Sequence, residues 1–94
     1  MEQSRIIRKR VVFYGRVQGV GFRYTAQFAA QSAGTTGWVR NEYNGSVVME
    51  IQGSEKQIDR VLLSLENGRY IRIDRTEVRT IAPVPHERSF RVRY

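Results

Sequence analysis

The sequence lacks cysteine and contains a single histidine, His86, among its 94 residues. Without cysteine, disulfide bonds, thiolate nucleophiles and cysteine-ligated zinc or iron–sulfur sites are excluded. One histidine also excludes a histidine-rich metal site and an acid–base mechanism that uses two imidazoles. Any chemistry that this chain performs must therefore depend on other side chains or on the backbone.

The sequence also lacks long apolar segments. No run approaches the roughly 20 apolar residues that a helix needs to cross a bilayer. The first residues, Met-Glu-Gln-Ser-Arg, do not resemble the start of a signal peptide. We therefore expect a cytoplasmic protein that does not associate with membranes, and the absence of cysteine fits a reducing compartment.

Basic residues are in excess, with 16 Lys+Arg against 9 Asp+Glu and a formal net charge of +7. Fourteen of the 16 are arginines, whose planar guanidinium groups bind oxyanions through two hydrogen bonds at once. An anionic partner is therefore compatible with the composition, whether nucleic acid, acidic membrane or phosphate ester. The arginines are spread from Arg5 to Arg93 without a basic block, so no basic tail is predicted.

The chain is predicted to form one domain over residues 1–94, with residues 1–5 loosely ordered. Apolar residues at helical spacing predict one helix over 22–33 and a second that begins after the capping residue Ser54 and stops at Gly68. The segment 69–75 shows neither a clear helical nor a clear strand pattern, so a strand break near 70–76 is compatible with the sequence. The remaining patterns predict strands at 7–14, 35–41, 46–52, 76–81 and 90–94.

Up to residue 81 the elements follow the order β-α-β-β-α-β, which predicts a ferredoxin-like α+β sandwich with two helices on one face of an antiparallel sheet. Alternation in the third strand, where Val47, Met49 and Ile51 share one face, suits a sheet covered on one side only. Many unrelated functions occur on this fold, so function has to be argued from a site.

Three glycines, Gly15, Gly19 and Gly21, lie between the first strand and the first helix. Backbone N–H groups in such a loop can turn inward and bind an anion, and the N-terminus of the following helix favours negative charge in the same space. Arg23 lies in the first helical turn, and its guanidinium can bind the same anion through two hydrogen bonds. The loop is neither a Walker A motif nor a complete G-x-G-x-x-G fingerprint. Taken alone, it indicates either a phosphate-sized anion site or an ordinary strand–helix connection.

Two segments carry a resemblance to a known family. Residues 14–23, Tyr-Gly-Arg-Val-Gln-Gly-Val-Gly-Phe-Arg, resemble a signature of the acylphosphatases. Residues 37–41, Gly-Trp-Val-Arg-Asn, followed after a turn by Gly-Ser-Val, resemble the second signature of that family. The similarity is clear from about residue 11 to 65 and weaker beyond. The resemblance implies hydrolysis of small acyl phosphates to a carboxylate and inorganic phosphate, without a metal or cofactor.

The resemblance also implies roles for single residues. Arg23 matches the catalytic arginine that binds the phosphoryl group, and Asn41 matches the asparagine that holds the attacking water. The residues that match the amide cradle are Gln18, Gly19, Val20, Gly21 and Phe22. The sequence departs from the family pattern at two places. The pair Gly34-Thr35 affects the expected packing of the first helix, and residues 67–72 affect the expected structure of the 66–75 connection.

The sequence is also compatible with other interpretations of Asn41 and of the function of the chain. Asn41 alone is typical of a turn that ends a strand. An RNA-binding module is compatible with the fold and charge, but its central strands need exposed aromatic residues, and the segment 46–52 has none. A regulatory domain that binds phosphate without turnover is a further alternative. We expect a monomer without a nucleic-acid partner, with Trp38 in the core and His86 in a solvated loop.

Overall fold

The computed structural model describes residues 5–94, so the predicted loose segment 1–5 lies, except for Arg5, outside the described residues. Within residues 5–94, two helices and five strands form. In chain order they are β1 (Ile7–Arg16), α1 (Phe22–Ala33), β2 (Thr36–Asn41), β3 (Val47–Gly53), α2 (Glu55–Glu66), β4 (Arg72–Ile81) and β5 (Phe90–Arg93).

The strands form one sheet in the order β4-β1-β3-β2-β5. The first four strands pair antiparallel, and the arrangement is the predicted ferredoxin-like α+β fold. The fifth strand runs parallel to β2, so the sheet is mixed and the expectation of an entirely antiparallel sheet is wrong for β5. The reason is the connection 82–89, which carries the chain from the β4 edge across the sheet to the opposite edge.

Both helices cover one face of the sheet and form the main core with it. The ring of Phe22, the first residue of α1, packs against the ring of Phe13 with 4.8 Å between centroids. This contact fixes the start of α1 against the middle of β1. Buried residues from the two helices are Ala26, Ala30, Ala33, Ile58, Val61 and Leu65, and from the strands Val11, Val39, Val47, Met49 and Ile51.

The helix boundaries follow from local signals. The first helix spans the predicted residues, and Gly34 ends it with a left-handed φ of 79° while its N–H bonds to the carbonyls of the last turn. The second begins with the predicted capping box, in which the Ser54 hydroxyl accepts from the Gln57 amide and the Gln57 side chain accepts from the Ser54 amide.

The fourth strand starts earlier than predicted and is continuous from Arg72 to Ile81, so the expected break near 70–76 is absent. Within it the register with β1 shifts by one residue: Tyr14 pairs with Arg75 and Gly15 with Ile73, so Asp74 is the extra residue of a bulge in β4. Gly15 has φ 131°, and a Cβ atom there would lie 2.3 Å from the Arg72 carbonyl oxygen. Glycine therefore permits the close approach that keeps β1 and β4 paired up to their ends.

The face of the sheet opposite the helices, called here the open face, is partly covered by the segment 82–89. Arg8 is buried there, with 1% of its surface exposed. Its Nε donates to Glu50 at 2.9 Å and its Nη1 donates to Glu87 at 2.7 Å. Desolvation lowers the pKa of Arg8, but its hydrogen bonds and the charges of both carboxylates outweigh this and raise it. The expectation of a sheet covered on one side only therefore needs correction at this end.

Candidate active site

The glycine loop between β1 and α1 has the geometry of an anion cradle. Gly19 and Gly21 adopt left-handed φ angles of 73° and 78°, and Gly21 is the N-cap residue of α1. A Cβ atom at either glycine would meet nothing within 4 Å, so backbone conformation rather than space requires glycine. Within the described chain, the N–H groups of residues 18–22 donate to no backbone carbonyl, which leaves them available to an anion.

The side chain of Gln18 attaches this loop to the β2–β3 hairpin. Its Nε2 donates to the carbonyl oxygens of Glu42 at 2.7 Å and Ser46 at 2.8 Å. Glu42 directly follows Asn41, so these two hydrogen bonds hold the loop beside the end of β2. The sequence predicted only a backbone role for Gln18, and the structure adds a positioning contact of its side chain.

Asn41 is the last residue of β2, and it lies at the same edge of the sheet as Tyr94. The parallel register places Arg40 opposite Arg93, so the next residues, Asn41 and Tyr94, leave their strands side by side. Both line a cavity of about 540 Å³ at this edge. The remaining lining residues are Gln18, Arg40, Glu42 and Tyr43.

Arg23 lies in the first turn of α1, where it contacts the C-terminal residues. Its guanidinium carbon is 4.8 Å from the ring centroid of Tyr94, and its Nη1 donates to the Arg93 carbonyl oxygen at 3.4 Å. The hydroxyl oxygens of Tyr94 and Tyr24 share a hydrogen bond of 2.9 Å. This hydrogen bond raises the pKa of Tyr94, burial and the charge of Tyr24 act in the same direction, and the Arg23 charge lowers it.

The structure thus places the predicted residues at one edge of the sheet. Gln18 and Asn41 line one cavity directly, and Arg23 contacts Tyr94, another residue of the same wall. Phe22 is buried and Val20 packs against the core, so neither side chain lines this cavity.

Sequence reasoning missed Tyr94, because its place beside Asn41 depends on a parallel pairing between distant segments. Arg40 lines the same cavity, and its Nε forms an ion pair with Glu42 at 2.8 Å. Trp38 is buried as expected, but it lies on the open face under the guanidinium groups of Arg40 and Arg93, at 5.1 and 4.6 Å from its ring centroid.

Neither a candidate metal centre nor a candidate membrane span is found in the described chain. Between residues 5 and 94, no three His, Asp or Glu side chains cluster closely enough to hold a metal ion. No helix in the same range is long and apolar enough to cross a bilayer.

The site concentrates hydrogen-bond donors and positive charge. Free loop amides, the N-terminal end of α1 and one guanidinium group suit an anion of phosphate size. The neutral amide of Asn41 can bind a water molecule by donating and accepting, but it is not a base at neutral pH. The arrangement can therefore hold a phosphoryl group and a water, and it would act through position and electrostatics.

Comparison with known proteins gives a consistent result. A family model described as Acylphosphatase matches residues 9–92. An acylphosphatase of Oceanobacillus iheyensis is 44% identical over 82 residues, which cover 85% of this chain and 90% of the relative. One from Geobacillus thermodenitrificans is 40% identical over 88 residues, covering 93% and 94%. The crystal structure of acylphosphatase from Bacillus subtilis superposes with a TM-score of 0.86 at 29% identity, covering 94% of this chain and 99% of that one.

Proposed function

From the premise that this chain belongs to the acylphosphatase family and hydrolyses acyl phosphates, we propose how its residues share the work. Arg23 and the amides of residues 18–22 bind the phosphoryl group, and Asn41 positions the attacking water. The alternatives of a non-catalytic phosphate-binding domain and of an RNA-binding module are not favoured by the family match.

One observation carries this assignment: the two hydrogen bonds from Gln18 to the hairpin. They hold the loop that carries the free amides against the strand end that carries Asn41. A phosphoryl group on the amides and a water on Asn41 would then be neighbours. Holding two reactants at fixed positions can supply a large part of a catalytic barrier, so this contact supports a catalytic arrangement.

The phosphoryl group carries its negative charge on non-bridging oxygens, and donors that are already oriented stabilise it without reorganisation. The left-handed glycines orient the loop amides, and the ring of Tyr94 holds the Arg23 guanidinium. In phosphoryl transfer, positioning and charge stabilisation dominate over covalent help from the protein. A site made of amides and one arginine suits this task.

The leaving group of an acyl phosphate is a carboxylate, which departs without a strong general acid. The Asn41 amide orients the water but does not deprotonate it, so the proton passes to a phosphoryl oxygen or to bulk water. The bond between phosphorus and the bridging oxygen breaks as the water oxygen bonds to phosphorus. The products are inorganic phosphate and the free carboxylate.

The acyl part of the substrate extends into the cavity beside Asn41. At about 540 Å³ this space is far larger than a phosphate group needs. Two exposed tyrosines, Tyr43 and Tyr94, stand on its walls and offer ring surfaces to the acyl group. The cavity is open to solvent and fits small acyl groups of differing shape.

Several expectations from the sequence complete the proposal. The chain works as a single domain over residues 1–94, as a monomer, in the cytoplasm, and without nucleic acid, metal or cofactor. The lack of cysteine supports a reducing compartment.

Hydrolysis of an aryl acyl phosphate such as benzoyl phosphate, followed with a chelator in excess, tests the proposed function. We expect full activity with the chelator and competitive inhibition by inorganic phosphate, because the product binds the same amides and Arg23. Activity that needs an added divalent cation would contradict the proposal, and so would phosphate inhibition that is not competitive.

A further inference from the structure

A second cavity, of about 330 Å³, lies between the segment 82–89 and β5 on the open face. We call it the β5 cavity. It shares no lining residue with the cavity beside Asn41. Its cationic and polar lining comprises His86, Arg88, Ser89, Arg91 and Arg93, together with one acidic residue, Glu87.

The charges of the β5 cavity are unbalanced. Across residues 5–94, none of the three arginines Arg88, Arg91 and Arg93 forms an ion pair with a carboxylate. Both carboxylate oxygens of Glu87 accept from the buried guanidinium of Arg8, at 2.7 and 3.4 Å. The negative charge of Glu87 is thus offset by Arg8, and the remaining lining of the cavity has a net positive charge.

The backbone that carries these arginines is fixed at three points before any ligand arrives. The Gln52 side chain accepts from the Val84 N–H at 2.8 Å and donates to the Val84 carbonyl at 2.9 Å. Arg8 holds Glu87, and the Gly37 N–H donates to the Ser89 carbonyl at 3.1 Å. A wall that is already ordered loses little conformational entropy on binding, which favours affinity.

The side chains of β5 are partly arranged as well. The Arg93 guanidinium stacks on Trp38, and the Arg91 Nε donates to the Ser89 hydroxyl at 3.1 Å. Stacking leaves the N–H groups at the edge of the Arg93 guanidinium free for a ligand. His86 adopts a left-handed φ of 67°, which is uncommon for a residue with a side chain and marks a constrained turn at the cavity rim.

The number and spacing of the three arginines indicate the size of the anion that the cavity can bind. Arg91 and Arg93 stand on the same face of β5, about 7 Å apart along a strand, and Arg88 approaches from the loop. Each guanidinium carries five N–H donors, so three of them offer more donors than the four oxygens of one orthophosphate can accept from, whereas a chain of phosphoryl groups supplies more oxygens. We propose that the β5 cavity binds a small polyphosphate anion, a di- or triphosphate that is either free or carried on a nucleoside.

Calorimetric titration of inorganic triphosphate into the full chain tests this proposal. Because triphosphate can also reach the candidate active site, the titration is made in the Arg23→Ala background, which keeps every residue that lines the β5 cavity. We expect one binding event there, and adding Arg88→Gln and Arg91→Gln should weaken it by about tenfold or more, since each guanidinium lost removes a charge-assisted contact.

The matched control is Arg60→Gln with Arg69→Gln, which removes the same charge from exposed positions outside this cavity. We expect this pair to change the affinity less than about twofold, because exposed charges beyond a Debye length are screened. An equal loss in both pairs would show attraction by net charge alone and overturn the proposal. Absence of triphosphate binding in the Arg23→Ala background, or orthophosphate binding there as tightly as triphosphate, would overturn it too.

Two further arms complete the experiment. A nucleoside triphosphate that binds more tightly than inorganic triphosphate supports the nucleotide as the ligand, and weaker binding supports the free anion. The Arg88→Gln, Arg91→Gln chain with Arg23 intact should hydrolyse benzoyl phosphate normally, because neither arginine lines the cavity beside Asn41. Normal hydrolysis with lost triphosphate binding separates this proposal from the proposed function. Binding to an oligonucleotide without any binding of triphosphate would contradict the inference.

Discussion

The guanidinium of Arg23 lies over the ring of Tyr94, with 4.8 Å between the guanidinium carbon and the ring centroid. Tyr94 in turn shares a hydrogen bond with Tyr24, which neighbours Arg23 in the first turn of α1. The helix start and the C-terminal residue therefore hold each other. An arginine held in this way is oriented before the substrate arrives, which is what electrostatic catalysis requires.

Replacing Tyr94 with leucine should weaken phosphate binding. A cation–π contact at an exposed site contributes about 0.5–1 kcal/mol, so we expect the inhibition constant of phosphate to rise about two- to fivefold. Tyr70→Leu is the matched control. The Tyr70 ring also has an arginine near it, but that arginine is Arg69, and both residues lie in the connection after α2. An unchanged inhibition constant, or an equal rise in the control, would show that Tyr94 does not orient Arg23.

The hydrogen bond between Tyr94 and Tyr24 makes a prediction about pH. It favours the neutral phenol and raises the pKa of Tyr94 above its ordinary value of 10.0. A group whose pKa is raised by folding stabilises the fold below its ordinary pKa, and that contribution is lost as the pH rises through the raised value. In Tyr24→Phe, the Tyr94 ring resonances followed by NMR should titrate at lower pH than in the parent. Identical titration in both proteins would be evidence against this hydrogen bond.

Gln18→Ala tests the contact between the loop and the hairpin. The change removes two hydrogen bonds, while the Glu42 and Ser46 carbonyls each keep one backbone donor, so we expect the free energy of unfolding to fall by about 1–3 kcal/mol. We also expect kcat/KM to drop by tenfold or more, at least about 1.4 kcal/mol of transition-state stabilisation, because the amides move relative to Asn41.

The control for this prediction is Gln31→Ala, an exposed position on α1. Urea unfolding and hydrolysis kinetics measure both effects in the two variants. If Gln18→Ala lost stability while keeping its full kcat/KM, the contact would be structural only, and the observation on which the site assignment depends would fail.

Arg8→Met tests the buried ion pairs of the open face. Removing the cation leaves Glu87 without the partner that offsets its desolvation and leaves Glu50 with Arg10 alone, so we expect a loss of about 3–5 kcal/mol in the free energy of unfolding. Arg79→Met, in the exposed β4 strand, should change it by less than about 0.5 kcal/mol. Urea unfolding distinguishes the two outcomes, and comparable small losses in both variants would refute a stabilising role for Arg8.

The sequence predicted those elements that local signals define. The first helix was found from end to end, because its apolar spacing and the stop at Gly34 are both local. The start of β4 was missed, because it is an edge strand exposed on both faces and its residues show no apolar alternation. Its pairing with β1, rather than its own composition, extends it to Arg72.

The same distinction applies to the sites. The glycine loop, Arg23 and Asn41 lie in two short motifs, so the sequence alone could nominate them. Tyr94 was missed because only the parallel pairing of β5 with β2 places it beside Asn41. The burial of Arg8 could not be read locally either, since it depends on a segment that returns across the open face from the far end of the chain.

Arg23→Ala should remove most of the activity. Loss of a comparable oxyanion donor costs about 2.7–4 kcal/mol of transition-state stabilisation, or about 100- to 1,000-fold in turnover. Because we propose that Arg23 binds the phosphoryl group in the ground state as well, the inhibition constant of phosphate should rise in the same variant. Hydrolysis of benzoyl phosphate at full rate would contradict the assigned role of Arg23.

The most direct test of the division of work between Arg23 and Asn41 is the phosphate affinity of Asn41→Ala, measured together with its turnover. We predict that turnover falls about 100-fold or more while the inhibition constant of phosphate stays within about threefold of the parent, because the proposed role of Asn41 is to bind the water and not the phosphoryl group. If turnover and phosphate affinity fell together by similar factors, Asn41 would be a structural residue of the site, and the central claim would be wrong.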